Sequence, residues 1–253
     1  MVLNSFDLAG KVAIVTGCNT GLGQGMARGL AQAGCDIVGV NRAAADETQR
    51  QVEALGRRFW PVTADLVRSE VATQVVEQAV AAAGRIDILV NNAGIIRRED
   101  ALNFSVQDWD DVMNINSKSV FFLAQQAARR FIAQGGGGKI INIASMLSFQ
   151  GGIRVPSYTA SKSAVMGLTR LMANEWAKHG INVNAIAPGY MATDNTEQLR
   201  NDAARSEEIL GRIPAGRWGV PEDMMGPVVF LASSASDYVN GYTLAVDGGW
   251  LAR

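Results

Sequence analysis

Short β-branched runs alternate with longer stretches of helical spacing along the whole chain, and this alternation restricts the fold more than any other feature. The runs are "KVAIVTG" (11–17), "CDIVGVN" (35–41), "RFWPVTA" (58–64), "IDILVNN" (86–92), "GKIINIAS" (138–145), "INVNAIAPG" (181–189) and "YTLAVDGG" (242–249). Between them, segments such as 22–33, 69–83, 107–134 and 158–179 are rich in Ala, Gln and Leu at helical spacing. Repeated strand–helix–strand units of this kind build a parallel sheet. Strand cores this apolar are buried on both faces, which predicts an α/β, doubly wound parallel sheet of about seven strands. In such a sheet ligands bind outside the carboxyl ends of the strands, so the residues just after each run are the ones to inspect.

A chain of 253 residues, 48% of them hydrophobic, is long enough for one substantial core, and no linker-like stretch divides it. We therefore expect a single catalytic domain, 1–253. The formal net charge of -1 and the absence of like-charge runs argue against nucleic acid or an anionic membrane as partner. No stretch is apolar for long enough to span a bilayer, and the start "MVLNSFDLAGKVAIVTG" does not read as a secretory leader, so the expected location is the cytoplasm. Cys18 and Cys35 read as free thiols, and no spacing suggests a metal site. The segment 190–217 contains the amphipathic pattern "EQLRNDAARSEEILGRI" and is a candidate substrate lid, with an ordinary surface excursion as the alternative.

"TGCNTGLG" (16–23) closes the first run and opens the first helix, placing Gly17, Gly21 and Gly23 where a diphosphate can approach a helix N-terminus. Asn19, Thr20 and Leu22 complete that loop. Asp65 and Leu66 follow the third run, with Asp65 able to accept from an adenine amino group or simply to cap a helix. "NNAG" follows the fourth, and its Asn92, Ala93 and Gly94 offer room and backbone amides for a ribose, or a plain turn.

Tyr158 and Lys162 in "SYTASKSAV" lie on one helix face in a chain with one histidine. At about 5 Å and an effective dielectric near 20 their attraction is roughly 3 kcal/mol, or about two pKa units on a phenol. Tyr158 is thus expected to be acidified by Lys162 and to serve as the acid or base that moves the proton. Ser145, at the end of the fifth run, can hold the substrate oxygen. His179, in "AKHGINVN", reads as a surface residue at a helix end, which leaves a nucleophilic serine mechanism without its base.

Together "TGCNTGLG", "NNAG", Asn116 in "NINS", Ser145, "YTASK" and "PGYMAT" resemble the short-chain dehydrogenase/reductase family over essentially the whole chain. The resemblance implies a Rossmann-type fold, a nicotinamide cofactor and a catalytic tetrad of Asn116, Ser145, Tyr158 and Lys162, in which the Asn position holds a water that relays protons to the Lys. It also implies that Lys162 reaches the nicotinamide ribose and that Pro188, Gly189, Met191 and Thr193 meet the nicotinamide end of the cofactor. Longer stretches, "NIASMLSFQGGIRVPSYTASKS" among them, resemble members acting on deoxy sugar acids in hexuronate and pectin breakdown. A keto or hydroxyl group of such an acid is the implied substrate. Arg97, Arg98, Arg154 and Arg217 are available to meet its carboxylate, with Arg154 favoured because it lies between Ser145 and Tyr158, and Gln150 shares that loop.

The second run ends in Asn41-Arg42. An acid there would select NAD, whereas an arginine can accommodate the extra phosphate of NADP. Asn41 suits a ribose hydroxyl, so the expected cofactor is NAD, with NADP left open. Helices over 120–134 and 164–178 are apolar around more of their circumference than one sheet face covers, and the resemblance adds a homotetramer in which "GGWLAR" packs near a neighbour. A 3-oxoacyl thioester reductase of the same family and a non-catalytic NAD(P)-sensing protein remain as alternatives.

Overall fold

A computed structural model of the chain describes residues 1–68 and 70–253. All seven runs form strands: β1 Val12–Thr16, β2 Asp36–Asn41, β3 Phe59–Thr63, β4 Ile88–Asn91, β5 Gly138–Ile143, β6 Ile181–Pro188 and β7 Thr243–Val246. They make one sheet in the order β3-β2-β1-β4-β5-β6-β7, every neighbouring pair parallel. The chain moves outward from β1 to β3, then crosses back to β4, so the order reverses between β1 and β4. Ligand crevices form at that reversal. β3 is an edge strand and carries Pro61 in its middle. An edge tolerates it because the missing N–H leaves no central ladder bond unmade.

The helices are α1 Gly21–Gln32, α2 Asp46–Ala54, α3 Val71–Ala83, α4 Val106–Met113, α5 Ser119–Gln134, α6 Pro156–Trp176, α7 Glu197–Asn201, α8 Ala203–Arg212 and α9 Met225–Ala232. Met26 and Leu30 of α1 join Val228 and Leu231 of α9 in one core layer, with Val15, Ile37 and Ile141 from the sheet. Val75 of α3, Leu123 and Phe131 of α5 and Met172 of α6 form the other, against Ile14, Leu89 and Ile140. Alternate side chains of each central strand feed the two layers, which is why the strands read as unbroken apolar runs.

Two elements depart from expectation. The pattern over 197–213 forms two helices rather than one: Asp202 stands in extended backbone and its carboxylate accepts from the Arg205 N–H at 3.1 Å, so a helix starts afresh there. Between α4 and α5 the residues Asn114–Lys118 take a wide π-helical turn. Such turns recur at functional sites, and Asn116 lies inside this one.

The C-terminal residues pack on their own chain's 190–217 segment. Trp250 joins Ile209, Ile213 and Met146 in a cluster, its ring 4.8 Å from Tyr190 and 4.0 Å from the Arg212 guanidinium. Arg253 adds a 2.8 Å bond to the Gly211 carbonyl. Cys18 and Cys35 are free and buried, and burial pushes the Cys18 thiol up to about 11. His179 is exposed. Among the described residues no helix is long and apolar enough to cross a membrane, and no three His, Cys, Asp or Glu side chains cluster as metal ligands.

Candidate active site

The carboxyl ends of the strands open into a cleft of about 440 Å³. Its first wall is the turn from β1 to α1. Gly17 adopts φ +63° and Gly21 φ +57°, conformations that a side chain disfavours. Gly23 is needed for a different reason, since a Cβ there would overlap the Gly17 carbonyl and come within 2.5 Å of Asn92 Nδ2. Backbone amides of a helix N-terminus therefore face the cleft with no side chain in front of them. That arrangement suits a diphosphate.

Neighbouring strand ends hold the loop in place through buried amides. Asn92 Nδ2 donates to the carbonyls of Thr16 and Gly17, both at 2.9 Å. Asn41 Oδ1 accepts from the Asn19 N–H at 3.1 Å, while its Nδ2 points at Cys18 Sγ at 3.5 Å. Asn41 thus braces the glycine loop while also lining the cleft. Asp65 lines the cleft with one oxygen accepting from the Val67 N–H at 3.2 Å, so it caps its turn as well. Arg42 also lines the cleft and, among the described residues, forms no ion pair.

The facing wall carries Ser145, Tyr158 and Lys162, together with Pro188, Gly189, Met191 and Thr193. Ser145 follows β5 in extended backbone and its Oγ accepts from the Leu147 N–H at 3.2 Å, which frees its hydroxyl hydrogen for another partner. Pro156 starts α6, so Tyr158 and Lys162 fall in its first two turns on one face. Lys162 is 5% exposed, its Nζ 5.6 Å from the Tyr158 ring centre and donating to the Ile143 carbonyl at 2.6 Å. Asn116 is fully buried behind this wall and does not line it. Its amide holds both the N–H and the carbonyl of Ile95 at 2.9 Å, and its second hydrogen goes to Ser161 Oγ at 3.3 Å. Both amide hydrogens are engaged, so its side-chain NH2 has none left for a relay water; it positions the Ile95 backbone, which does face the cleft.

Burial dominates the electrostatics of this wall. Burial is the largest influence on Tyr158 and raises its phenol above the ordinary value; a hydrogen bond with Ser145 and the charge of Arg98 pull it down. Lys162 does not figure among those influences, and burial pushes its own ammonium down to about 8. Helix spacing predicted proximity correctly. It missed the desolvation that comes with this helix face, where Lys162 is buried and a charge is costly.

The candidates for the substrate carboxylate fare differently. None of Arg97, Gln150, Arg154 and Arg217 lines the cleft, and each side chain is committed elsewhere. Arg97 pairs with Asp108 and Asp111 at 3.2 and 3.7 Å, and Arg154 with Asp100 at 3.4 Å. Arg217 makes two 2.7 Å bonds to Asp223, and Gln150 accepts from Trp250 Nε1 at 3.3 Å. Arg98 does not line the cleft either; it is exposed, its charge acts on Tyr158, and it donates at 2.9 Å to the carbonyl of Asn195, a residue of the cleft lining.

The residues present fit a dinucleotide: a side-chain-free glycine loop, an uncovered helix N-terminus and a continuous cleft leading to the Ser–Tyr–Lys wall. Known proteins agree with that geometry. The Escherichia coli protein called 2-dehydro-3-deoxy-D-gluconate 5-dehydrogenase is 76% identical over 253 residues, covering 100% of both chains. A solved Agrobacterium tumefaciens protein with bound NADP is 56% identical, covering 99% of this chain and 100% of that one, with a TM-score of 0.93. A gluconate 5-dehydrogenase from Burkholderia cenocepacia, in complex with NADP and tartrate, superposes with a TM-score of 0.95 at 41% identity, covering 100% of both chains. Residues 11–204 match the short chain dehydrogenase family, and with the sheet order and the cleft already described, the chain belongs to that family.

Proposed function

We propose that the protein interconverts a keto and a hydroxyl group on a deoxy sugar acid of the 2-dehydro-3-deoxy-D-gluconate type, using NAD(P) as hydride carrier. The observation that carries this reading is the placement of Ser145, Tyr158 and Lys162 together on the wall of the cleft that the glycine loop opens. The 76% identical relative names the substrate class.

When bound, the nicotinamide ring supplies the hydride for ketone reduction or accepts it in alcohol oxidation. Gly17, Gly21 and Gly23 with the α1 N-terminus hold the diphosphate, Asp65 and Leu66 flank the adenine, and Asn92, Ala93 and Gly94 line the path toward Lys162. Pro188, Gly189, Met191 and Thr193 close the nicotinamide end. In reduction the Ser145 hydroxyl donates to the substrate oxygen while the Tyr158 hydroxyl gives it a proton, leaving a phenolate on the helix face it shares with the Lys162 ammonium. In oxidation the phenolate takes the alcohol proton. Arg98 meets the carboxylate, a charge-assisted contact that orients the acid.

NAD is the cofactor we propose first, because Asn41 at the end of β2 lines the cleft and its amide suits a ribose hydroxyl; NADP is also accepted, since the second strand ends in no acid and the uncommitted Arg42 is placed for a ribose phosphate. The working assembly in this reading is a cytoplasmic homotetramer, in which contact between subunits would cover Ile132 on α5 and Leu171 on α6, 47% and 46% exposed in the single chain. Chains of monomer size in solution would exclude that assembly.

The test is a panel of keto sugar acids and 3-oxoacyl thioesters assayed with NADH and NADPH in parallel. Sugar acids are expected to turn over and thioesters to lag by about 100-fold or more, the scale on which an unmatched carboxylate site discriminates. Preference for thioesters would replace this reading with an acyl reductase. In the same assay Arg42→Ala is expected to lower kcat/KM with NADPH by about 10- to 100-fold, as befits hydrogen bonds to a charged group, and with NADH by under about twofold. Equal losses on both would remove Arg42 from the phosphate site.

A further inference from the structure

Arg154 is the one non-glycine residue with positive φ among the described residues, at +62°. Left-handed backbone is disfavoured for any residue carrying a Cβ. Glycines stand two and three positions earlier, at 152 and 151, yet neither has positive φ. The strained conformation thus falls on a residue whose side chain has a partner. Its Nε lies 3.4 Å from Asp100 Oδ1, and its carbonyl accepts from the Glu99 N–H at 3.0 Å.

Both contacts reach the residues immediately after Arg98. The ion pair is exposed on both sides, 58% and 65%, and pairs so exposed contribute little stability. Strain kept without a stability return points to a geometric role. The geometry is specific: the loop joining Ser145 to Tyr158 is clipped, backbone and side chain, to the loop that carries Arg98.

We propose that Arg154 is a positioning residue that sets the separation between the Arg98 guanidinium and the Tyr158 hydroxyl, and so selects the distance from carboxylate to reacting carbon in the substrate. This rests on the sugar-acid reading above. Slackening the clip leaves the proton chemistry intact but lets the carboxylate site drift relative to it. The consequence is a poorer KM for acids of the right length and a flatter dependence on length.

Arg154→Ala, Arg154→Gly and Asp100→Asn test it in the full chain, with keto sugar acids of graded length and a neutral keto sugar as substrates. Arg98→Ala serves as the control on the underlying reading. Each clip variant is expected to raise KM for the preferred acid by about five- to tenfold, the scale of a sub-ångström misplacement, with kcat held within about twofold. The neutral keto sugar is expected to be unaffected, and Arg154→Ala combined with Asp100→Asn to be no worse than either alone. Arg154→Gly relieves the backbone, so it separates strain from the lost pair, and Arg154→Lys is expected to recover part of the KM. If Arg98→Ala flattens the preference for acids while the clip variants leave it intact, the proposal is overturned. If Arg98→Ala itself changes nothing, the carboxylate reading fails and the proposal with it. Equal losses on acid and neutral substrates show a merely structural loop residue and also overturn it.

Discussion

Tyr158→Phe is expected to reduce turnover by about 10³-fold or more, near the upper part of what a positioned acid or base contributes, while cofactor affinity stays within about twofold. The expectation follows from where the hydroxyl lies. It is placed on the cleft wall at the start of α6, on the same wall as Ser145, and no histidine shares the cleft lining. Phenylalanine preserves the ring and its packing beside Lys162 and removes the proton. Steady-state rates in both directions, with nucleotide titration by fluorescence, check it. Retained turnover would assign the proton to another group.

Gly23→Ala is the second large effect. A methyl at this position has nowhere to go, because the Gly17 carbonyl and Asn92 Nδ2 already occupy its space and both belong to the braces of the glycine loop. Overpacking of a tight site costs typically about 1–3 kcal/mol, and here the atoms that must move are those that present amides to the diphosphate. Nucleotide affinity is expected to fall by about 100-fold or more, with a melting temperature lower by several degrees. By contrast Gly211→Ala, in open space on α8, is expected to leave both unchanged. Normal affinity in Gly23→Ala would mean that the loop does not carry the cofactor.

Much of this was legible in the residues because burial on both sheet faces writes itself as unbroken apolar runs. Val12–Thr16 and Asp36–Asn41 are buried at every position, and such strands stand out from amphipathic helices on either side. The glycine loop was legible for a similar local reason, since the spacing of Gly17, Gly21 and Gly23 reflects steric needs of one turn. What failed were properties set by distant parts of the chain. Arg97 and Arg98 are adjacent in a loop without periodicity, and only the α4 carboxylates Asp108 and Asp111 decide that Arg97 turns away. Arg154 was favoured from its position between two catalytic residues, but Asp100 takes its side chain. That Asn41 also braces the glycine loop depends on Asn19, more than twenty residues earlier. The break at Asp202 had a signal in the sequence, an acid at a helix-starting position, which the amphipathic periodicity on either side concealed.

Lys162 shows the same limit in electrostatic form. Counting four residues along a helix gives the distance to Tyr158, but the sign of the effect depends on solvent. The buried ammonium is itself lowered to about 8, and Arg98, on a different loop, contributes a charge that pulls the phenol down. A phenol raised by burial is protonated and ready to donate at neutral pH, which suits reduction. Oxidation requires it ionised and should become easier as pH rises.

The most direct test of Tyr158 as proton carrier is therefore the pH dependence of kcat/KM in both directions, wild type against Tyr158→Phe. The account predicts opposite limbs that share one apparent pKa, oxidation rising and reduction falling as pH passes it, and the disappearance of both limbs in the residual activity of the phenylalanine variant. The same limbs persisting in that variant would contradict it.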